Sequence, residues 1–186
     1  MMDILSSFDA NTVQALAAVR TPGTTQLFMS ITALGSTVLI GGLSILLGLY
    51  FLVRGRLSLL AGLAVAIGGA GTVLFTLKEA VARARPPAAL QAYAETGFSF
   101  PSGHATMSLA FYGFLAYLAY GIFPAGRYRV AATVAAGGLV WFIGFSRVYL
   151  GVHYPSDVGA GFVIAAIFLW LAVVVTKKFG KNAVTR

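Results

Sequence analysis

The chain has 186 residues, of which 59% are hydrophobic and only 10% are charged, and its mean hydropathy is +0.87. Soluble domains are about a quarter charged, so this composition excludes a soluble globular protein and indicates one embedded in a membrane. The absence of cysteine excludes disulfides, thiolate metal sites and a cysteine nucleophile. A net charge of +8 would suggest a nucleic-acid partner for a soluble protein. Here we expect it to reflect membrane topology, with no nucleic acid bound.

Residues 1–26 are more polar than the rest of the chain, and their larger apolar residues fall at loose helical spacing: Leu5, Phe8, Leu16 and Val19. The pattern predicts an amphipathic helix that lies at the membrane interface and is ended by Pro22-Gly23. A frayed terminus is the alternative, and the pattern leaves open whether the segment inserts in the membrane. Asp3 and Asp9, without a basic stretch, argue against a cleavable signal peptide.

Five apolar runs of about the length needed to cross a bilayer follow: Leu27–Val53, Leu57–Leu77, Ala105–Phe123, Val130–Phe145 and Val158–Thr176. Glycine and alanine are frequent in these runs, which favours close helix packing in lipid. The predicted fold class is therefore all-α, a polytopic transmembrane helix bundle with five spans and an N-terminal interfacial helix. We expect one membrane-embedded domain over residues 1–186, with residues 78–157 as its motif-bearing core.

The basic residues are distributed unevenly among the connections between these runs. If each run crosses once, eight of the 13 lysines and arginines lie on one side, and the other side receives five basic and all five acidic residues. The first side then carries +8 and the second 5 − 5 = 0. The positive-inside rule predicts a cytoplasmic C-terminus, with both long polar loops outside the cytoplasm. The eight residues are Arg54, Arg56, Arg127, Arg129, Lys177, Lys178, Lys181 and Arg186.

A first polar cluster on the outer side contains three cations. Lys78 and Arg85 are seven residues apart, so they would share one face of a helix that continues to Pro86-Pro87. We expect Arg83 to point elsewhere, as a solvated or headgroup-facing charge. Any one of these cations is equally typical of an interfacial side chain that extends to water.

A second cluster is the sequence Pro101-Ser102-Gly103-His104, directly before the third apolar run. Helix N-termini bind anions through unpaired N–H groups and the positive end of the helix dipole. Ser102 is a natural N-cap, Gly103 permits close approach to the backbone, and His104 can transfer a proton near neutral pH. The alternative is a plain helix cap with an interfacial histidine.

A third cluster links the fourth and fifth runs. Arg147 ends the fourth run, and Asp157 begins the fifth, close to Pro155 at the start of the helix. A carboxylate four residues after His153 can accept its Nδ1–H, which leaves Nε2 free as a nucleophile or base. The alternative is that Asp157 is a simple acid at a helix start.

Together the clusters supply what phosphoryl transfer needs. Lys78, Arg85 and Arg147 can neutralise phosphate oxygens, while one histidine attacks phosphorus and the other protonates the leaving oxygen. One carboxylate is too few for Mg²⁺ or Ca²⁺. Two histidines and one aspartate could in principle bind Zn²⁺, but the three neighbouring cations argue against it.

These motifs resemble those of the type 2 phosphatidic acid phosphatases, which are membrane lipid phosphate phosphatases related in their site to soluble acid phosphatases and vanadium haloperoxidases. The match consists of Lys78-x6-Arg85-Pro86, Pro101-Ser102-Gly103-His104 and Ser146-Arg147-x5-His153-x3-Asp157. The resemblance implies a metal-independent reaction, with no cofactor, on the periplasmic or extracellular face. Its implied catalytic residues are His153 as a nucleophile that forms a phosphohistidine, Asp157 orienting it and His104 as general acid. Its implied phosphate-binding residues are Lys78, Arg85, Ser102, Gly103 and Arg147.

The resemblance also implies a lipid phosphate substrate and contact with membrane lipids. Bacterial members of this size are similar to phosphatidylglycerophosphate phosphatases of the B type and to undecaprenyl diphosphate phosphatases. Phosphatidylglycerophosphate is our first expectation, and phosphatidic acid, lysophosphatidic acid and diacylglycerol diphosphate are also plausible. A non-catalytic lipid-phosphate carrier and a lipid phosphotransferase remain as alternatives. Members commonly have six spans, whereas five are counted here.

Overall fold

The computed structural model describes residues 2–122 and 125–183, and within these residues the secondary structure is helical with no strand. The described residues form eight α-helices: α1 Met2–Ala18, α2 Pro22–Ala33, α3 Thr37–Val53, α4 Leu57–Ala64, α5 Ala70–Val81, α6 Gly103–Ile122, α7 Arg127–Tyr149 and α8 Pro155–Ala183. A π-helical turn, Val65–Gly69, joins α4 to α5, and a short 3-10 helix, Ala88–Leu90, lies in the loop after α5. Phe123 and Arg186, which figure in the predicted runs and charges, lie outside the described residues.

Five helical segments of the described chain are long and apolar enough to cross a membrane, and they confirm the predicted bundle. The first combines α2 and α3, which are separated at Leu34–Ser36, where the Ser36 side chain caps α3 by accepting from the Leu39 N–H at 3.2 Å. The second combines α4, the π-helical turn and α5, and the others are α6, α7 and α8.

The predicted end of the N-terminal helix at Pro22-Gly23 is wrong. Helix α1 ends at Ala18, and Pro22 occupies the first turn of α2, where its missing N–H costs nothing. Thr21 caps α2, because its side chain accepts from the Thr24 N–H at 3.3 Å. Pro22 therefore starts the first span and does not terminate the preceding helix.

Helix α1 packs on the bundle with one face and leaves apolar side chains exposed on another. Asp9 and Val13 are completely buried, and Val13 contacts a cluster that includes Ala105, Val148 and Val158. Ile4 and Phe8 are more than half exposed, as expected for side chains that face lipid. The predicted N-terminal helix is present, and it is docked against α7 and α8.

Helix α6 lies at the centre of the bundle and packs along both α7 and α8. The two helices approach closely at Gly161, where a Cβ atom would lie 2.8 Å from Thr106 Oγ1 and 2.9 Å from the backbone oxygen of Ser102. Small residues allow membrane helices to approach in this way. The starts of α6 and α8 are joined by a hydrogen bond from the Ser102 N–H to the Asp157 backbone oxygen at 3.0 Å.

The end of the bundle opposite to the polar clusters holds a cavity of about 690 Å³. Arg56, from the turn between the first two spans, and Lys177, near the end of α8, both line this cavity. The basic connections therefore meet at one end, while the starts of α6 and α8 and the ends of α5 and α7 meet at the other.

We predict that Gly161→Ala destabilises the bundle, because the added methyl group must push against Thr106 and against backbone. Overpacking of this kind costs about 1–3 kcal/mol. Gly159→Ala on the same helix is the matched control, since nothing lies within 4 Å of its Cβ position, and alanine has the higher helix propensity. Thermal unfolding in detergent measures both variants, and equal unfolding temperatures would contradict the close contact.

Candidate active site

The first cluster is not arranged as one helical face. Helix α5 ends at Val81, and Ala82 adopts a left-handed conformation with φ 46°, so Arg85 lies on a non-helical segment. The expectation that the helix continues to Pro86-Pro87 is therefore wrong. The chain leaves the helix early because Ala82 caps it through its N–H, which donates to the Lys78 oxygen at 3.1 Å.

Lys78 and Arg85 are nevertheless brought to the same end of the bundle by the loop that follows α5. Lys78 Nζ donates to the Phe98 oxygen at 2.5 Å. Arg85 donates from Nε to the Gly97 oxygen at 3.0 Å and from Nη1 to the Val152 oxygen at 2.8 Å. The same Nη1 lies 3.2 Å from Nε2 of His153. A guanidinium group is thus fixed directly beside one nitrogen of this imidazole.

His153 is 2% exposed, and its two ring nitrogens face different partners. Nε2 faces Arg85, whereas Nδ1 lies 3.5 Å from Oδ2 of Asp157, beyond the usual length of a hydrogen bond, and has no hydrogen-bond partner among the described residues. Catalytic hydrogen bonds are often long before substrate binds. Burial lowers the pKa of His153 to about 4, helped by Arg147 and Arg85 and opposed by Asp157. The imidazole is therefore neutral at neutral pH.

Asp157 is completely buried and is held by several donors, so it is more than an acid at a helix start. Oδ2 accepts from the Tyr154 N–H at 2.8 Å and from the Ser99 hydroxyl group in a short contact. Oδ1 accepts from Arg83 Nη1 at 2.6 Å. This set of bonds fixes the carboxylate in the position from which it faces His153.

The expectation that Arg83 is a solvated charge is wrong. Its guanidinium binds Asp157 and, through Nη2, the carboxylate of Asp9 at 2.8 Å, and it lies 4.2 Å from the centre of the Tyr154 ring. Burial by itself would lower the pKa of Arg83, but the two carboxylates raise it above its usual value. The side chain points inward because the left-handed Ala82 changes the direction of the chain after α5.

Arg147 is the most deeply buried cation of the described residues, at 1% exposure. It donates to Thr32 Oγ1 at 3.0 Å, to the Tyr93 hydroxyl at 2.5 Å and to the Glu95 carboxylate at 2.5 Å. Burial by itself would raise the pKa of Glu95, but Arg147 holds it below its usual value. The sequence motifs predict no role for Glu95 or Thr32. A single acid in the loop before Pro101, close to the three clusters, is the sequence feature that points to Glu95 as a partner for one of the cations.

The second cluster forms the start of α6, which begins at Gly103. Ser102 does not cap the helix through its side chain, because its buried Oγ has no hydrogen-bond partner among the described residues. Its backbone oxygen accepts from the Thr106 N–H at 3.0 Å. His104 follows in the first turn of α6 and is half-buried, and the charges of Arg147, Glu95 and Arg85 act on its ring.

The eight predicted site residues therefore meet at one end of the bundle. The guanidinium groups of Arg85 and Arg147 act on the His153 imidazole, and Lys78 lies near Arg85. The first turn of α6 offers N–H groups without partners inside the helix. No group of three or more His, Cys, Asp or Glu side chains in the described part of the chain is arranged to hold a metal ion. An anion with several oxygens suits this combination of donors.

Residues 58–181 match the family model of the PAP2 superfamily, and these residues include all three clusters. The chain belongs to the PAP2 superfamily. Its sequence is 30% identical over 173 residues to phosphatidylglycerophosphatase B of Bacillus subtilis, covering 90% of this chain and 82% of that protein. It is 39% identical over 120 residues to lipid A 1-phosphatase of Rhizobium johnstonii, covering 59% of this chain but only 45% of that relative.

Solved structures give the same result. The crystal structure of a transmembrane PAP2 type phosphatidylglycerolphosphate phosphatase from Bacillus subtilis superposes with a TM-score of 0.82 at 30% identity, over 94% of this chain and 87% of that one. LpxE of Aquifex aeolicus shares the fold, with a TM-score of 0.67 at 23% identity, over 89% of this chain and 94% of that one. The predicted family and fold class are confirmed, and the chain is an integral membrane phosphatase of this superfamily.

We predict that Ser102→Ala weakens binding of phosphate or vanadate without lowering thermal stability. Its hydroxyl has no partner in the described fold, so its removal breaks no internal hydrogen bond. A hydrogen bond to a charged ligand contributes about 1.5 kcal/mol to binding, so its loss should make binding about tenfold weaker.

Ser99→Ala is the contrasting variant, because Ser99 donates to the buried Asp157 carboxylate. It should lower stability by about 1–3 kcal/mol. Thermal unfolding and inhibition by inorganic phosphate measure the two effects separately. If Ser102→Ala were as destabilising as Ser99→Ala and bound phosphate normally, the Ser102 hydroxyl would serve the fold and not the ligand.

Proposed function

We propose that this protein hydrolyses phosphate monoesters or diphosphates of membrane lipids through a phosphohistidine intermediate. The orientation of His153 carries the proposal: Nδ1 faces the carboxylate of Asp157, and Nε2 faces the guanidinium of Arg85. A nucleophilic nitrogen is thereby held beside a group that binds phosphate. Burial keeps this nitrogen unprotonated, because it lowers the pKa of His153 to about 4.

In the proposed first step, Nε2 of His153 attacks phosphorus and forms an N–P bond while the P–O bond to the lipid breaks. His104 gives its proton to the departing oxygen. Asp157 keeps the proton on Nδ1 and balances the charge that develops on the ring. In the second step, His104 accepts a proton from water, the water oxygen bonds to phosphorus, the N–P bond breaks and inorganic phosphate leaves.

Phosphate binding is assigned to the cations and to the start of α6. Lys78, Arg85 and Arg147 neutralise the oxygens, and Ser102 and Gly103 supply donors from the start of the helix. Arg147 already holds a carboxylate, and its Nε has no hydrogen-bond partner among the described residues. We propose that the reaction needs neither metal nor cofactor, so EDTA should leave activity intact and vanadate should inhibit.

The substrate assignment rests on the membrane setting and on the relatives. The starts of α6 and α8 belong to apolar spans, so a lipid headgroup can reach the site while its chains stay in the bilayer. The relatives are named for phosphatidylglycerophosphate and for lipid A 1-phosphate. We propose phosphatidylglycerophosphate first, with phosphatidic acid and undecaprenyl diphosphate as further substrates, and one catalytic domain over the whole chain.

We predict that His153→Ala lowers phosphate release from purified lipid phosphates by about a thousandfold or more, because no other group replaces the nucleophile. The assay uses a panel of lipid mono- and diphosphates and measures free phosphate. Retained binding of inorganic phosphate and an unchanged unfolding temperature are the controls for folding.

Three outcomes would contradict the proposal in different ways. Undiminished phosphate release by His153→Ala would exclude this residue as the nucleophile. Binding of lipid phosphates by the wild type without turnover would indicate a carrier. A phosphorylated acceptor in place of free phosphate would indicate a phosphotransferase.

We also propose that the protein lies in the bacterial inner membrane with its C-terminus in the cytoplasm and its active site on the periplasmic face. Arg56 and Lys177 meet at the end of the bundle away from the site, and the positive-inside rule puts that end in the cytoplasm. The loop that carries Glu95, which contributes to the site, then lies outside.

We predict that alkaline phosphatase fused after the C-terminus is inactive, because it stays in the cytoplasm, whereas a fluorescent protein fused there emits. Alkaline phosphatase fused after Tyr93, in the loop before α6, should be active. The reverse pattern at these two positions would place the active site on the cytoplasmic face.

A further inference from the structure

An acid outside all three motifs is buried next to the proposed catalytic residues. Asp9, in the middle of α1, has a side-chain exposure of 1%. Its Oδ1 accepts from the Ser156 N–H at 3.0 Å, and its Oδ2 accepts from the Ser156 hydroxyl and from Arg83 Nη2 at 2.8 Å. Helix α1 is thereby attached by a charged group to the first turn of α8, one residue before Asp157.

Arg83 connects the two carboxylates. One of its terminal nitrogens binds Asp9 and the other binds Asp157 at 2.6 Å and Ser156 Oγ at 2.7 Å. The ring of Tyr154 covers the guanidinium. Two buried acids therefore share one cation, and the group of three carries a net charge of 1 − 2 = −1.

This sharing determines how much negative charge Asp157 presents to His153. A carboxylate whose charge is neutralised by its own cation is a weaker hydrogen-bond acceptor. A carboxylate that shares the cation with a second acid keeps more of its negative charge and is a stronger acceptor. If Asp9 were neutral, the full charge of Arg83 would act on Asp157, which would then hold the Nδ1–H of His153 less strongly. The imidazole would be a poorer nucleophile and a less well oriented one.

We propose that Asp9 is a positioning residue of the phosphatase reaction, acting through Arg83 on Asp157 and so on His153. The inference rests on the proposed function, because it needs His153 as the nucleophile. It makes the N-terminal helix a part of the active site and not merely a membrane anchor. Docking of α1 does not depend on Asp9 alone, since Val13 is also completely buried against the bundle.

Two substitutions of Asp9 separate the effect of its charge from the effect of its size. Asp9→Asn keeps the size and one acceptor oxygen but removes the charge, and Asp9→Glu keeps the charge but adds a methylene group to a buried site. We expect Asp9→Asn to lower kcat about 10- to 100-fold, by analogy with the loss of a group that orients a metal-binding histidine. KM should stay within about twofold, because Asp9 does not contact the phosphate-binding residues.

Asp9→Glu should retain more kcat than Asp9→Asn even though its unfolding temperature falls further. Val13→Ala is the matched docking control on the same face of α1: it should lower the unfolding temperature by several degrees and leave kcat unchanged. Steady-state kinetics on a soluble short-chain lipid phosphate and thermal unfolding supply both readouts.

The proposal is overturned if Asp9→Asn keeps wild-type kcat, or if Asp9→Glu is the less active of the two variants. It is also overturned if Val13→Ala lowers kcat as much as Asp9→Asn does, because Asp9 would then serve only docking. Wild type and His153→Ala are measured in the same assay. If the wild type releases phosphate and His153→Ala does not, any of these results removes the role of Asp9 and leaves the proposed function intact.

Discussion

The burial of charge at one end of an apolar bundle is the constraint on which this structure depends. An unpaired ion in such surroundings costs several kcal/mol, so each buried charge must be matched by a partner. Arg147 is paired with Glu95, Asp157 with Arg83, and Arg83 with Asp9. Each pair ties a different segment to the bundle: the loop before α6, the segment after α5 and the N-terminal helix.

The same pairing prepares the site for an anion. Arg85 and Arg147 are fixed by backbone and side-chain acceptors, so the proposed phosphate binding would need little reorganisation of these side chains. His153 lies among these cations as a neutral ring, because burial and the neighbouring guanidinium groups lower its pKa to about 4. The neutral imidazole lies near two guanidinium groups, which can attract a negatively charged phosphate group, and its Nδ1 faces Asp157. This arrangement suits the proposed attack of His153 on phosphorus.

Helix packing and site geometry are coupled through the starts of α6 and α8. Gly161 allows the two helices to approach closely, and the Ser102 N–H then reaches the Asp157 oxygen at 3.0 Å. Ser102 and Asp157 belong to different motifs, so this contact sets the distance between the proposed phosphate donors and the carboxylate that faces His153. A shift of either helix would be transmitted to the site.

The sequence by itself determined the five spans, because the length of an apolar run is a local property that the bilayer thickness selects. It also determined the three clusters, since each lies at the end of a span. Only the tertiary structure decided how Arg83 points and which acids complete the site. Asp9 is 74 residues from Arg83, and Glu95 is 52 residues from Arg147. Partners so far apart meet because helices dock and a left-handed Ala82 redirects the chain, and no local spacing rule encodes either event.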